Sequence, residues 1–87
     1  MKIIATTTFK KSISKIEKNM IKRILGKIDL FYNISENVYD LNLDIKKINP
    51  KEKWIYRLRV GKYRVLFTFK DKTIKLLDVD NRDSIYF

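Results

Sequence analysis

The stretch that decides the fold is Trp54-Ile55-Tyr56-Arg57-Leu58-Arg59-Val60-Gly61-Lys62-Tyr63-Arg64-Val65-Leu66-Phe67. Two runs of β-branched and aromatic residues flank Gly61-Lys62, a two-residue connection whose first position is glycine. That pattern predicts an antiparallel hairpin with a type II′ turn. Pairing about this turn sets Leu58 opposite Val65, Tyr56 opposite Phe67 and Trp54 opposite Phe69. These pairs share one face and read as the core side. The other face then carries Arg57 and Arg59, with Arg59 directly opposite Arg64. Like charges across a strand pair destabilise it, and these two strands hold no acid to relieve them. An external anion is the expected relief, because the planar fork of arginine matches phosphate oxygens. A solvated face with splayed arginines is the plainer alternative.

Outward from the hairpin, Thr73–Val79 reads as a third strand, joined by a second two-residue turn at Asp71-Lys72. Asn49-Pro50-Lys51-Glu52 reads as a turn, since Asn-Pro breaks regular structure. A brief strand is expected over Ile45–Ile48, and a loop with a short helical piece over 33–45. Toward the start, Lys2–Thr7 predicts a strand and Thr8 an N-cap. Phe9, Ile13, Ile16, Met20, Ile24, Ile28 and Phe31 then recur in steps of three and four, the stripe of an amphipathic helix seeking a core. So long a stripe predicts two helices, with a break near Lys18-Asn19. Gly26 lies within the second, at a cost of roughly 1 kcal/mol relative to alanine. The order β, α, α, then three antiparallel strands and a short tail defines an α+β fold, with helices on one face of a twisted sheet.

Composition narrows the function. The 87 residues fit one domain, 1–87, and 45% are hydrophobic, which suits a folded chain. Cysteine and histidine are both missing. Disulfides and thiolate metal sites are thereby excluded, along with the commonest general base. The start, Met1-Lys2-Ile3-Ile4-Ala5, is too short an apolar run for a secretory signal, and no stretch approaches the ~18 apolar residues of a membrane span. A soluble cytoplasmic protein with no membrane role is expected. The formal charge of +10 points to an anionic partner, and it is unevenly spread. Residues 46–75 hold eleven basic residues and two acids, whereas residues 29–45 hold four acids and no base.

The tail, Asn81-Arg82-Asp83-Ser84-Ile85-Tyr86-Phe87, adds one more cation directly after the third hairpin strand, where it can reach the neighbouring sheet. Tyr86 stands four residues on, one turn away in a helical tail. A tyrosine so placed is more often a packing residue than a functional one.

Taken together, the hairpin with Arg57-Leu58-Arg59, its Gly61 turn and Tyr63-Arg64, the strand Leu76-Leu77-Asp78-Val79, and the tail with Asn81-Arg82 and Ile85-Tyr86 resemble the RelE/ParE toxin superfamily. Leu43-Asp44-Ile45-Lys46-Lys47-Ile48 also resembles the segment before that hairpin. The resemblance spans essentially the whole chain and is nearest to RelE-type toxins. It implies a metal-independent endoribonuclease that enters the ribosomal A site and cuts the exposed mRNA codon. The ribose 2′-hydroxyl attacks the adjacent phosphate and leaves a 2′,3′-cyclic phosphate and a 5′-hydroxyl. By this resemblance Arg57 and Arg59 bind phosphate and help activate the 2′-hydroxyl, and Arg64 stabilises the phosphorane. Arg82 contacts the phosphate or serves near the leaving group, and Tyr86 stacks on the base or exchanges a proton. Lys46, Lys47, Lys51, Lys53 and Lys62 contact RNA. Arginine does not lose its proton at ordinary pH, so base duty falls to Lys53 or Tyr86, or gives way to charge stabilisation.

The resemblance also implies an acidic antitoxin, the 70S-type ribosome and mRNA as partners, operator DNA only through the toxin–antitoxin complex, and no cofactor. Two rival functions share these features. A ParE-like toxin would inhibit DNA gyrase without cutting RNA, and ParE-type members generally lack the full arginine-plus-tyrosine set. A non-catalytic nucleic-acid-binding module would use the same charge through counterion release.

Overall fold

The computed structural model describes residues 1–49, 51 and 54–81. Strand β1 (Lys2–Ala5) leads into helices α1 (Thr7–Ile13) and α2 (Lys18–Asp29). Two short 3-10 helices follow, Leu30–Asn33 and Val38–Asp40, and then strands β2 (Ile45–Lys47), β3 (Ile55–Val60), β4 (Tyr63–Lys70) and β5 (Thr73–Asn81). The five strands form one sheet in the order β1-β5-β4-β3-β2. All neighbours are antiparallel except β1, which pairs with β5 in parallel register. The α+β architecture expected from the sequence is the one observed.

The predicted hairpin register holds for Tyr56↔Phe67, Leu58↔Val65 and Arg59↔Arg64. Gly61 takes φ of +59° and Lys62 does not follow it into positive φ, as a II′ turn requires. At the β4–β5 turn Asp71 and Lys72 both have positive φ, 53° and 55°, so that turn is of the mirror-image I′ kind.

One face of the sheet is the core. Tyr56, Leu58, Val60, Val65, Phe67, Ile74, Leu76 and Val79 are buried there against Phe9, Ile24, Ile28 and Phe31 of the helical stripe. Ile13, Ile16 and Met20 pack on its margin. Phe67 is central, with its ring centroid 4.8 Å from Phe31 and 5.6 Å from Tyr56. Burial and the neighbouring Tyr39 push the Tyr56 phenol above its ordinary pKa. It stays protonated at neutral pH and is a poor proton acceptor.

Three local expectations are corrected. The N-cap of α1 is Thr6, not Thr8. Its hydroxyl oxygen accepts from the Phe9 N–H at 3.2 Å and lies 2.8 Å from the Leu76 carbonyl and 3.1 Å from that of Leu77, so one side chain both starts the helix and ties it to β5. The break between helices falls at 14–17, ahead of Lys18-Asn19, because the Ser14 hydroxyl turns back to the Lys11 carbonyl at 2.7 Å and offers the backbone an alternative to continuing. Trp54 is not in the core. It is 48% exposed at the end of the sheet, although its carbonyl accepts from the Phe69 N–H at 3.1 Å as the register demands.

Two glycine substitutions should move stability in opposite directions. A methyl group on Gly26 would meet nothing within 4 Å, so Gly26→Ala should stabilise by about 0.5–1 kcal/mol through helix propensity. Gly61→Ala should cost about 1–2 kcal/mol, because a side chain disfavours left-handed backbone. Urea midpoints measure both, and a fall for Gly26→Ala would contradict the open environment assigned to it.

A candidate RNA interface on the open sheet face

The face of the sheet away from the helices carries the arginines. Arg57 and Arg59 alternate with the buried residues of β3, and Arg64 does so on β4, so the three side chains project to the same side. Lys46 joins them as the register partner of Arg57. The other lysines expected at the interface do not. Lys47 points to the opposite side of β2, Lys51 is exposed in the turn that follows, and Lys62 caps the hairpin tip with its ammonium 5.7 Å from the Tyr63 ring centroid. Arg82, Tyr86 and Lys53 lie outside the described residues.

The expected external relief of the Arg59–Arg64 repulsion is corrected: the chain supplies its own. Asp80 is the register partner of Arg64, and its carboxylate accepts from Nε at 3.2 Å and Nη2 at 3.1 Å, a bidentate pair. Asp44, just before β2, lies between Arg57 and Arg59. Arg57 Nη1 donates to its carboxylate at 3.1 Å and to its backbone carbonyl at 3.2 Å. Arg59 Nη1 stands 3.9 Å from the other carboxylate oxygen, too far for a hydrogen bond.

Asp80 reaches Arg64 through a register shift. The strands stay in step from the turn to Phe67↔Leu76, and the next pair is Leu66↔Asp78, leaving Leu77 without a partner in β4. This bulge turns Val79 into the core and Asp78 and Asp80 outward. Strict alternation from Ile74 and Leu76 would have buried both acids. A switch from apolar to acidic residues in the alternation of β5 was the sequence signal for the shift, and the plain hairpin reading passed over it.

The three arginines differ in access. Arg57 keeps 11% of its side chain exposed and is spent on anchoring Asp44 to β3. Arg64 keeps 25% and Arg59 35%, the latter with the loosest partner. Arg59 and Arg64 are therefore the guanidiniums best able to accept a phosphate, which presents the same kind of oxygen acceptors as the carboxylates now held.

Asp80→Asn should lower stability by about 1 kcal/mol, since it removes a part-exposed ion pair and leaves two arginines opposed. Inorganic phosphate should restore more of that loss than chloride at equal ionic strength. Thermal melts decide it, and equal recovery in both salts would mean that the vacated fork does not select a phosphate.

Known proteins share this fold. No protein-family model matches the chain. The chain is 38% identical to Toxin RelE3 of Methanocaldococcus jannaschii over 86 residues, which covers 99% of this chain and 96% of that protein. Its structure resembles the RelB–RelE antitoxin–toxin complex from Methanococcus jannaschii, with 35% identity, a TM-score of 0.78 and coverage of 95% and 94%. It also resembles the archaeal RelE–RelB complex from Pyrococcus horikoshii OT3, with 27% identity, a TM-score of 0.72 and 93% of each chain covered. With identity of this extent and a shared fold over nearly the whole length, the chain belongs to the RelE family of toxin–antitoxin toxins.

Proposed function

We propose that this toxin is an endoribonuclease that cuts mRNA held in the ribosomal A site. The observation that carries the reading is the projection of Arg57, Arg59 and Arg64 from one open sheet face in a chain of this family. In the proposed reaction a base takes the 2′-hydroxyl proton, the 2′-oxygen attacks the adjacent phosphorus, and the bond to the 5′-oxygen breaks. A proton donor then completes the 5′-hydroxyl and leaves a 2′,3′-cyclic phosphate. Charge accumulates on the phosphorane oxygens between attack and departure, where fixed cations act most strongly.

Arg59 and Arg64 hold the scissile phosphate and stabilise that charge. Arg57 fixes Asp44 and the start of β2, and supports Arg59 through it. Arg82 serves the phosphate or the leaving oxygen, Tyr86 stacks on the base, and Lys53 or Tyr86 moves the proton. Lys46 lies on the same face and binds backbone phosphate. Lys51 and Lys62 act at its margins.

The internal ion pairs give a physical reason for dependence on the ribosome. A phosphate must displace Asp80 to take the Nε–Nη2 edge of Arg64, and at Arg59 it competes with the nearby Asp44 carboxylate. Loose RNA pays for that exchange from its own weak binding. A codon already fixed in the decoding site competes at a high local concentration. Since the similar solved structures are toxin–antitoxin complexes, an antitoxin is the proposed partner in the cell. Its acidic segment would lie across the basic face and supply carboxylates to the same arginines.

Mapping mRNA 5′ ends after induction tests the reading. Wild type should give cuts at fixed codon positions only where ribosomes are translating, and Arg64→Ala should reduce them on the order of a hundredfold. Equal cutting would remove Arg64 from the mechanism. Gyrase-dependent DNA breaks with intact mRNA would select the ParE-like activity instead. Asp44→Asn should raise cleavage of ribosome-free RNA, and no change there would sever the ion pairs from ribosome dependence.

A further inference from the structure

Around the sheet end away from the Gly61 turn lies a recess of about 530 Å3 that the arginine chemistry does not use. This is within the roughly 300–1,000 Å3 range of small-ligand sites. Tyr56 and Phe69 form its floor, and Tyr39 and Trp54 stand on its walls. Both wall aromatics remain about half exposed, 50% and 48%. Lys47, Lys70 and Lys72 line it, opposed by Glu36 and Asp71. The Lys70 ammonium lies 5.6 Å from the indole centroid and leaves Trp54 half exposed all the same. Lys72 is placed at the edge of the recess by the I′ turn, which sets φ of +55° there.

We propose that this recess binds one unpaired nucleotide of RNA, with its base stacked on Trp54 and Tyr39 and its phosphate held by Lys47, Lys70 and Lys72. Exposed aromatic faces among lysines are the arrangement by which proteins hold single strands, because every base has a face to stack and every nucleotide a charge to neutralise. Three lysines against two acids line the recess, which suits an anionic occupant better than an apolar anchor from a protein partner. The recess also connects with the arginines. Trp54 borders a second hollow of about 400 Å3, lined by Thr68, Thr73 and Lys75. Thr68 shares the outward side of β4 with Arg64, and Lys75 is its register partner. A strand held by Arg64 can run past Thr68 and Lys75 over Trp54 into the recess. Only the identity of the RNA as messenger rests on the function proposed above; the site itself does not.

Trp54 is the chain's single tryptophan, so its emission reports occupancy directly. The whole protein is titrated with a uridine-rich single-stranded oligoribonucleotide, a blunt RNA duplex and polyglutamate. The single strand should quench the emission saturably, and the duplex and polyglutamate should not. Joint Lys47→Ala and Lys72→Ala substitution should weaken the quench about tenfold, and Trp54→Ala should weaken binding of a labelled strand by a similar factor. Melting curves establish that the variants fold. Arg64→Ala should lose cleavage and keep the full quench at saturation, so failure of the nuclease reading and failure of this site give different results. No quench, equal quenching by polyglutamate, or indifference to the lysines would overturn the proposal.

Discussion

The register shift at Leu77 governs both faces of the sheet. Up to Leu76, β5 alternates as an ordinary half-buried strand, with Ile74 and Leu76 turned inward. Continued alternation would bury Asp78 and Asp80 and expose Val79. Burying a carboxylate without a partner costs far more than a local break in a ladder. The strand therefore spends one residue on a bulge. Val79 closes the core at 4% exposure, and Asp80 emerges opposite Arg64. The same bulge meets Thr6, whose hydroxyl lies near the Leu76 and Leu77 carbonyls while it caps α1. Core closure, helix docking and the charge state of the open face thus depend on one unpaired residue.

That dependence explains how so basic a chain can hold arginines side by side. Arg59 and Arg64 are direct cross-strand partners, which is unfavourable taken alone. Asp80 on one flank and Asp44 on the other bracket the two cations with carboxylates. The arginines are kept extended, in the postures that receive oxygen acceptors, by acceptors that can be exchanged. Asp44 keeps 47% and Asp80 31% of its side chain exposed, so both carboxylates organise the forks while open to exchange with another anion. Cations left wholly unpaired would grip any polyanion. A fully buried pair would admit none.

Much of this was legible in the sequence because its signals are local. The Gly61-Lys62 turn fixed the hairpin register, and the stripe from Phe9 to Phe31 marked the helical layer. The projection of Arg57, Arg59 and Arg64 to one side followed from alternation alone. The parts that escaped are set by contacts between distant segments. Asp44 reaches Arg57 from the residue before β2, and Asp80 is brought to Arg64 only after a bulge that a two-residue turn does not announce. Trp54 was assigned to the core because alternation says which way a side chain points, and nothing about whether a helix is there to cover it. Thr6 displaced Thr8 as the cap for a similar reason, since β5 supplies carbonyls beside the earlier threonine.

Trp54 also shows how the sheet joins two chemistries. Along β2 and β3, neighbouring residues face opposite ways: Lys46 and Arg57 toward the open face, Lys47 and Tyr56 toward the helical side. Under the helices, that second side is core. Beyond their reach it becomes a recess of aromatics and lysines. The alternation that segregates apolar from charged residues within the sheet therefore places two different surfaces back to back, one of guanidinium forks and one of aromatic rings. Trp54 stands where they meet, bordering the hollows on both sides. Forks suit a phosphate about to react, because they fix its oxygens in a plane. Rings suit a flanking nucleotide, because stacking holds a base firmly without reading it. Such a division would let the chain grip a strand of any sequence at one point and act on it at another.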